Sequence, residues 1–186
     1  MTSQSTATEL DSATELNTAP GLELRLGRLA DPRVAQAIEL VWHEATLLDA
    51  KAYEDWERLW TADGKYVIPI DPETEDFEAR LNMVYDDARM RRMRVTRLVE
   101  GYSMSAVAAA RTARTISRFT VGELTEDAVT LRSAQVLVGF KREKHILLAA
   151  DLTHRVRFTE EGALIDLKVV RLVNSDGAVT ASGFLL

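Results

Sequence analysis

Two histidines and a carboxylate around open positions are a common way to hold non-haem iron, so the three histidines of this 186-residue chain are the first residues to test for chemistry. His145 and Asp151 share parity along one β-prone run, whereas His154 has the opposite parity and should face the other side of the sheet. His43 and Glu44 are adjacent, and neighbouring helical residues diverge by about 100° around the axis. The histidines are therefore expected to serve ordinary sheet or interface positions, with no metal held in this chain. For acid–base work the candidates are Asp49, Tyr66, Tyr85, Asp86 and His154, because carboxylates and phenols in an apolar interior acquire shifted pKa values. Nothing in the spacing pairs them. Asp86 and Asp87 read more simply as helix caps and Tyr66 as a strand residue. The sequence has no Gly-x-Ser-x-Gly, no Gly-rich phosphate loop and no nucleotide fingerprint, so no catalytic or cofactor-binding residue is predicted.

The densest charge feature is Arg89-Met90-Arg91-Arg92-Met93-Arg94-Val95-Thr96-Arg97. Guanidinium forks suit carboxylates in a subunit interface better than ammonium groups do, and Asp86 and Asp87 are placed to make helix-surface pairs with the run. Arg91, Arg92, Arg94 and Arg97 are the candidate partner-binding residues. A formal charge of −6 opposes the long-range attraction that nucleic-acid binders exploit, so nucleic acid is not an expected partner. Cysteine is absent, which removes disulfides, thiolate nucleophiles and thiolate ligation of zinc or an iron–sulfur cluster. Were iron involved, another chain would have to supply most of its ligands. No apolar run approaches the roughly 18 residues of a membrane span, and no basic segment precedes an apolar one at the N-terminus. A soluble, cytoplasmic chain with no membrane partner is expected.

The elements that must position these residues are legible in outline. Residues 1–22 are rich in Thr, Ser, Ala and Glu and read as a flexible tail, leaving residues 23–186 as one domain. Asp31-Pro32 predicts a helix start, with Val34, Ile38, Val41, Trp42, Ala45 and Leu48 along a buried face. A second helical stretch covers Ala52 to Trp60 and is broken by Asp63-Gly64. Tyr66 to Ile70 is a short strand in which Pro69 marks an edge or an end, and residues 71–78 form an acidic loop. Asp86 or Asp87 caps a third helix that runs to about Glu100, with Met90, Met93, Arg94 and Leu98 near one stripe. Four long β-prone stretches follow: Arg111 to Val121, Ala128 to Arg142, His145 to Thr159 and Leu164 to Val173. In the third, Leu152, His154, Val156 and Phe158 should face a core, and Asp151, Thr153, Arg155 and Arg157 the other side. Helices followed by a meander of strands give an α+β fold, with the helices in the concave side of one curved antiparallel sheet.

Several of these residues, taken in order, are similar to one known family. Glu44-Ala45-x-Leu47-Leu48-Asp49, Tyr53, Trp56, Asp63, Tyr66 and Pro69 resemble the opening of the β (small) subunits of aromatic-ring-hydroxylating dioxygenases. Tyr85-Asp86-Asp87, then Arg94-Val95-x-Arg97-Leu98 and Arg111-Thr112, resemble the family's middle. The segment with Asp151 and Arg155, Lys168 to Leu172 and Phe184 agree in pattern. The resemblance runs from about Ala37 onward. Three departures stand out: Ala106 to Ala110 replace an Asp-Pro-Pro segment, Arg118 stands where Asn is usual, and Arg91 occupies an apolar position of the third helix. The resemblance implies a nuclear-transport-factor-2-like (cystatin-like) cone that supports a separate large (α) subunit. That subunit would carry a Rieske 2Fe-2S cluster and a mononuclear iron, in an assembly of three large and three small subunits. Electrons from NAD(P)H would drive addition of dioxygen to an arene, with no active site in this chain. The same cone also hosts stand-alone isomerases and dehydratases, which would need an apolar cavity with Asp49, Tyr66 or His154 at its floor.

Overall fold

Asp31 caps the first helix by accepting a hydrogen bond from the Arg33 amide at 2.9 Å, and Pro32 opens it. Helix α1 runs Pro32–Ala50 and closes on Lys51 in the left-handed conformation. The computed structural model describes residues 28–100, 110–173, 175 and 184–186; the tail expected over residues 1–22 and the segment 106–110, apart from Ala110, lie outside them. Val34, Ala37, Val41, Glu44, Ala45 and Leu48 form the buried face of α1. Trp42 does not belong to it: one residue round from Val41, it is 52% exposed and stands edge-on against Phe119, with ring centroids 5.8 Å apart.

The second helix, α2, is only Tyr53–Glu57. Trp60, expected at its end, instead opens strand β1, Trp60–Pro69, and Asp63-Gly64 lies inside that strand. Aromatic packing explains the early switch. Trp56, Trp60 and Tyr66 meet edge to face, with centroids 5.3 to 6.2 Å apart, and an extended chain places Trp60 and Tyr66 against the one tryptophan of α2. Pairing of β1 with its neighbour skips between Trp60 and Lys65, and Gly64 sits in that bulge. A Cβ on Gly64 would lie 3.0 Å from both the Ile165 carbonyl oxygen and the Trp60 ring. Pro69 ends β1 at a second irregularity, as expected, but β1 is an interior strand. Its outer neighbour, β2 at Asn82–Asp86, was not anticipated.

Helix α3, Ala88–Val99, is capped by Asp87, whose side chain accepts from the Met90 amide at 2.8 Å. Its buried residues are Arg91 and Val95, while Met93 is 47% exposed, so the inward stripe lies about one residue away from the one expected. Strands β3 (Arg111–Leu124), β4 (Ala128–Lys141), β5 (Lys144–Thr159) and β6 (Gly162–Leu172) complete one sheet in the order β2-β1-β6-β5-β4-β3. The β4–β5 turn is Arg142-Glu143, both with positive φ, the geometry of a two-residue hairpin turn filled here without Gly or Asn. All strand pairs are antiparallel except β1 with β6, which is parallel. The alternation read along β5 holds: Leu152, His154 and Val156 are buried, and Asp151 and Arg155 are exposed. Helix α1 lies against β3, β4 and β6, so its buried face and the inner face of the sheet share one core.

Arg118 adopts φ 57° at a break in β3–β4 pairing, between Ser117 and Thr120. Asn, usual here in the family that the sequence resembles, enters this left-handed region more easily than a long side chain does.

Gly64→Ala is expected to lower unfolding free energy by about 1–3 kcal/mol, because the added methyl has backbone on one side and a packed indole on the other. Urea titration measures this.

Candidate functional site

Glu44 faces inward from the middle of α1 and is 0% exposed, as is His154 on β5; Lys168 on β6 is 1% exposed. The sequence places them 110 and 124 positions from Glu44, and the fold closes them into one cluster. The indole N–H of Trp56 and the Lys168 ammonium both donate to Glu44 Oε1 at 2.9 Å, and His154 Nε2 lies 3.0 Å from Oε2. Burial by itself would raise the Glu44 carboxyl, but the Lys168 charge, the His154 contact and the Trp56 bond outweigh it and hold the group far below its ordinary 4.5. Burial pushes His154 down despite the pull of Glu44, so its ring is neutral at neutral pH. A carboxylate at Oε2 assigns the ring proton to Nε2 and leaves Nδ1 as an acceptor. Lys168 is likewise lowered by burial and supported by Glu44, and its ammonium lies 5.8 Å from the centre of the Tyr66 ring.

The remaining acid–base candidates do not converge on this cluster. Asp49 accepts from Thr112 Oγ1 at 2.7 Å and from the Arg114 amide at 2.8 Å, and is ion-paired with the Arg114 guanidinium. That guanidinium also donates to the Leu185 carbonyl. The Tyr66 hydroxyl is bonded at 3.1 Å to both the amide and the carbonyl of Leu186, and burial raises its pKa. Tyr85 donates to Glu78 at 2.9 Å, and Asp86 takes a fork from Arg94 at 2.5 and 3.0 Å. Each polar group is thus held by a partner in its own region, and no pair is poised on a shared cavity. His43 is an exposed residue of α1, and His145 is exposed at the far end of β5, tilted against Phe140. A polar pocket of about 730 Å³ lies over the other face of the sheet, bordered by Arg118, Arg132, Asp151, Arg155 and Arg171.

The four arginines selected from the sequence separate into two pairs. Arg91, expected to face a partner, is 1% exposed: it pairs with Glu57 at 3.2 Å, donates to the Gly64 carbonyl and stacks 4.3 Å from the Trp60 ring centre. Arg94 is engaged by Asp86. Arg92 and Arg97 are exposed. The resemblance carried the missed signal, since an apolar position of the third helix is by implication a buried one. Glu44 entered beside His43 as a rejected metal ligand and within a resembling stretch, Lys168 within a resembling stretch alone, and neither parity nor spacing joins residues so far apart in sequence.

Residues 43–176 match the family described as ring hydroxylating beta subunits. The chain belongs to that family. The small oxygenase component of the p-cumate 2,3-dioxygenase system of Pseudomonas putida is 27% identical over 142 residues, covering 72% of this chain and 79% of that protein. In three dimensions the chain is similar to the beta subunit of benzoate 1,2-dioxygenase from Burkholderia mallei, with a TM-score of 0.67 and 20% identity over 82% of this chain and 97% of the other. It is also similar to an NTF2-like protein with a cystatin-like fold from Novosphingobium aromaticivorans, with a TM-score of 0.55 and 16% identity over 83% and 88% of the two chains. The fold of this beta subunit is accordingly the NTF2-like cone. Its own residues do not fit the iron groups that the resemblance implies for the oxygenase: a Rieske centre needs cysteines, which the chain lacks. His154 is committed to Glu44, while His43 and His145 are exposed on separate elements.

Two stability predictions follow from the beta subunit's buried cluster. Lys168→Leu, which leaves a buried carboxylate without its cation, should cost about 3–5 kcal/mol. Adding Glu44→Gln to that variant should recover part of the loss, because Gln still accepts from Trp56 without a charge. Urea unfolding of the two variants checks the sign. For pH, the folded-state pKa values of His154 and Glu44 both lie below the unfolded values, 6.5 and 4.5. The unfolded chain therefore binds protons first on acidification, and stability should fall as pH drops through about 6.5 and again below about 4.5. His154→Gln should remove the upper limb and leave the lower.

Proposed function

We propose that this beta subunit acts as the structural small component of a multicomponent aromatic-ring-hydroxylating dioxygenase. In this reading it buries surface against a large subunit that carries the Rieske cluster and the mononuclear iron, in a three-plus-three assembly in the cytoplasm. NAD(P)H-derived electrons and dioxygen are used in the large subunit, and the small one holds the geometry between neighbouring large subunits. The observation that carries the reading is the interior cluster: Glu44, Lys168 and His154, the groups best suited to chemistry in the cone, are almost wholly withdrawn from solvent, with Lys168 and His154 both bonded to Glu44. A stand-alone isomerase or dehydratase would need Asp49, Tyr66 or His154 presented to a substrate, whereas each is tied to Arg114, Leu186 or Glu44.

Two surfaces suit a protein partner. On α3, Arg92 and Arg97 flank the half-exposed Met93. On the outer face of the sheet, Val136, Val138 and Leu147 are 44–71% exposed, and Val138 pairs directly with Leu147 across β4 and β5. Exposed apolar side chains grouped in this way mark interaction surfaces. No helix among the described residues is long and apolar enough to cross a membrane.

Affinity purification of the tagged chain from its native cells is expected to bring down a larger iron protein with Rieske-type visible absorption. Arg92→Glu with Arg97→Glu should weaken that association while leaving the small subunit folded, since neither residue is buried. A colourless small oligomer with no larger companion would count against the subunit reading. Unchanged association of the double variant would remove α3 from the interface.

A further inference from the structure

Among the described residues, four buried polar atoms on the inner faces of β3, β4 and β5 meet no hydrogen-bonding partner: Arg114 Nε, Gln135 Oε1, Ser133 Oγ and His154 Nδ1. They are not scattered. Arg114 lies opposite Leu137 across β3 and β4, Gln135 is two residues from Leu137, and Ser133 is two residues further along the same face. Ser133 in turn lies opposite Leu152 on β5, and His154 is the next inward residue of that strand. Each is thus a same-face neighbour of the next, at the direct or diagonal spacing of about 5–8 Å found within a sheet. No hydrogen bond joins these atoms directly, and an intervening molecule that bonds to both sides would satisfy neighbours so placed.

The chemistry of the four atoms says which molecule. Arg114 Nε donates, Gln135 Oε1 accepts, Ser133 Oγ does both, and His154 Nδ1 accepts because the ring proton sits on Nε2 and is donated to Glu44. Only a small molecule that both donates and accepts can join such a series. An anion is not called for, since the Arg114 charge is met by Asp49 and the Lys168 charge by Glu44. One end of the series also has a way out. Arg114 and Asp49 border a pocket of about 330 Å³ between α1 and β3, together with Trp42, Thr46 and Thr115. At the other end stands the buried Glu44, His154 and Lys168 cluster.

We propose that the cone contains a built hydration site, a string of bound waters that runs from the Arg114–Asp49 pair past Gln135 and Ser133 to His154 Nδ1. The interior of this subunit is then a wet polar seam against the sheet and not a receptor for an apolar molecule. The site stands independently of the oxygenase reading, because it uses only side chains of this chain and their register.

A high-resolution crystal structure of the full chain, alone or in its native assembly, tests it. Ordered water is expected within about 2.7–3.2 Å of both His154 Nδ1 and Ser133 Oγ. Density for protein atoms or for a larger molecule at those positions would overturn the proposal. Ser133→Ala gives a second measurement. If the hydroxyl belongs to a water string, its loss should lower Tm by about 2–4 °C. A Tm that is unchanged or raised would mean that the hydroxyl was unpaired, and the proposal would fall.

Discussion

The cone depends on a single buried carboxylate. Glu44 is fully withdrawn from solvent, and a charge in that position persists only where donors replace its lost water. Trp56 from α2, His154 from β5 and Lys168 from β6 supply three. The carboxylate therefore ties two helices to two adjacent strands at one point. A shift of one residue in either strand would turn His154 or Lys168 outward and leave Glu44 with an incomplete set. Buried ion pairs contribute little net stability over well-packed apolar residues of the same volume. What this cluster supplies is position: it fixes how far α1 sits along the sheet and which faces of β5 and β6 look inward.

The surroundings elaborate the same constraint. One turn and a half along α1, Asp49 repeats the arrangement on β3, accepting from Thr112 and from both the amide and the guanidinium of Arg114. Arg114 and Tyr66 then hold the carbonyls of Leu185 and Leu186, and Phe184, Leu185 and Leu186 are buried in the main core. On the far side, Arg91 is accommodated where an apolar residue would otherwise pack, because Glu57, the Gly64 carbonyl and the Trp60 ring together receive its charge and its plane. The bulge at Gly64 belongs to this arrangement: it aims a carbonyl at the guanidinium and brings the Trp60 ring under it.

These arrangements explain what could be read from the sequence. Local signals were legible: the Asp31-Pro32 start of α1, the Asp87 cap of α3, the four long strands and the inward parity of His154 all depend on residues within a few positions of one another. Trp42 and the inward stripe of α3 were misread because periodicity ranks residues by hydrophobicity. The fold instead buries Arg91, which has three partners, and leaves Met93 half outside. Strand β2 and the parallel β1–β6 pair were illegible for a different reason. The first is five residues long, and the second joins segments about a hundred positions apart, with no local turn to announce it. The candidate site lay in between. His154 was selected by type, Glu44 by type and resemblance and Lys168 by resemblance, but only the folded sheet shows that His154 and Lys168 both bond to Glu44.

That mutual satisfaction bears on how a cone can serve as a support. A cone that binds and releases a small molecule must keep polar groups uncommitted at its floor, and such groups are expensive to bury and soften the interior around them. In this chain the two inward carboxylates of α1, Glu44 and Asp49, are committed, one to β5 and β6 and the other to β3, so the helix cannot rock against the sheet without breaking a buried ion pair. Rigidity of this kind suits a subunit that must hold others at fixed separation. On the outside, Arg92 and Arg97 stand exposed on α3, and Val136, Val138 and Leu147 on the outer sheet face. Inward-directed charge thus locks the scaffold, while other charged groups and part of the apolar surface stay exposed. Consecutive arginines of a single helix, Arg91 and Arg92, differ in this way because the helical turn sets them about 100° apart, one into the wall and one into solvent.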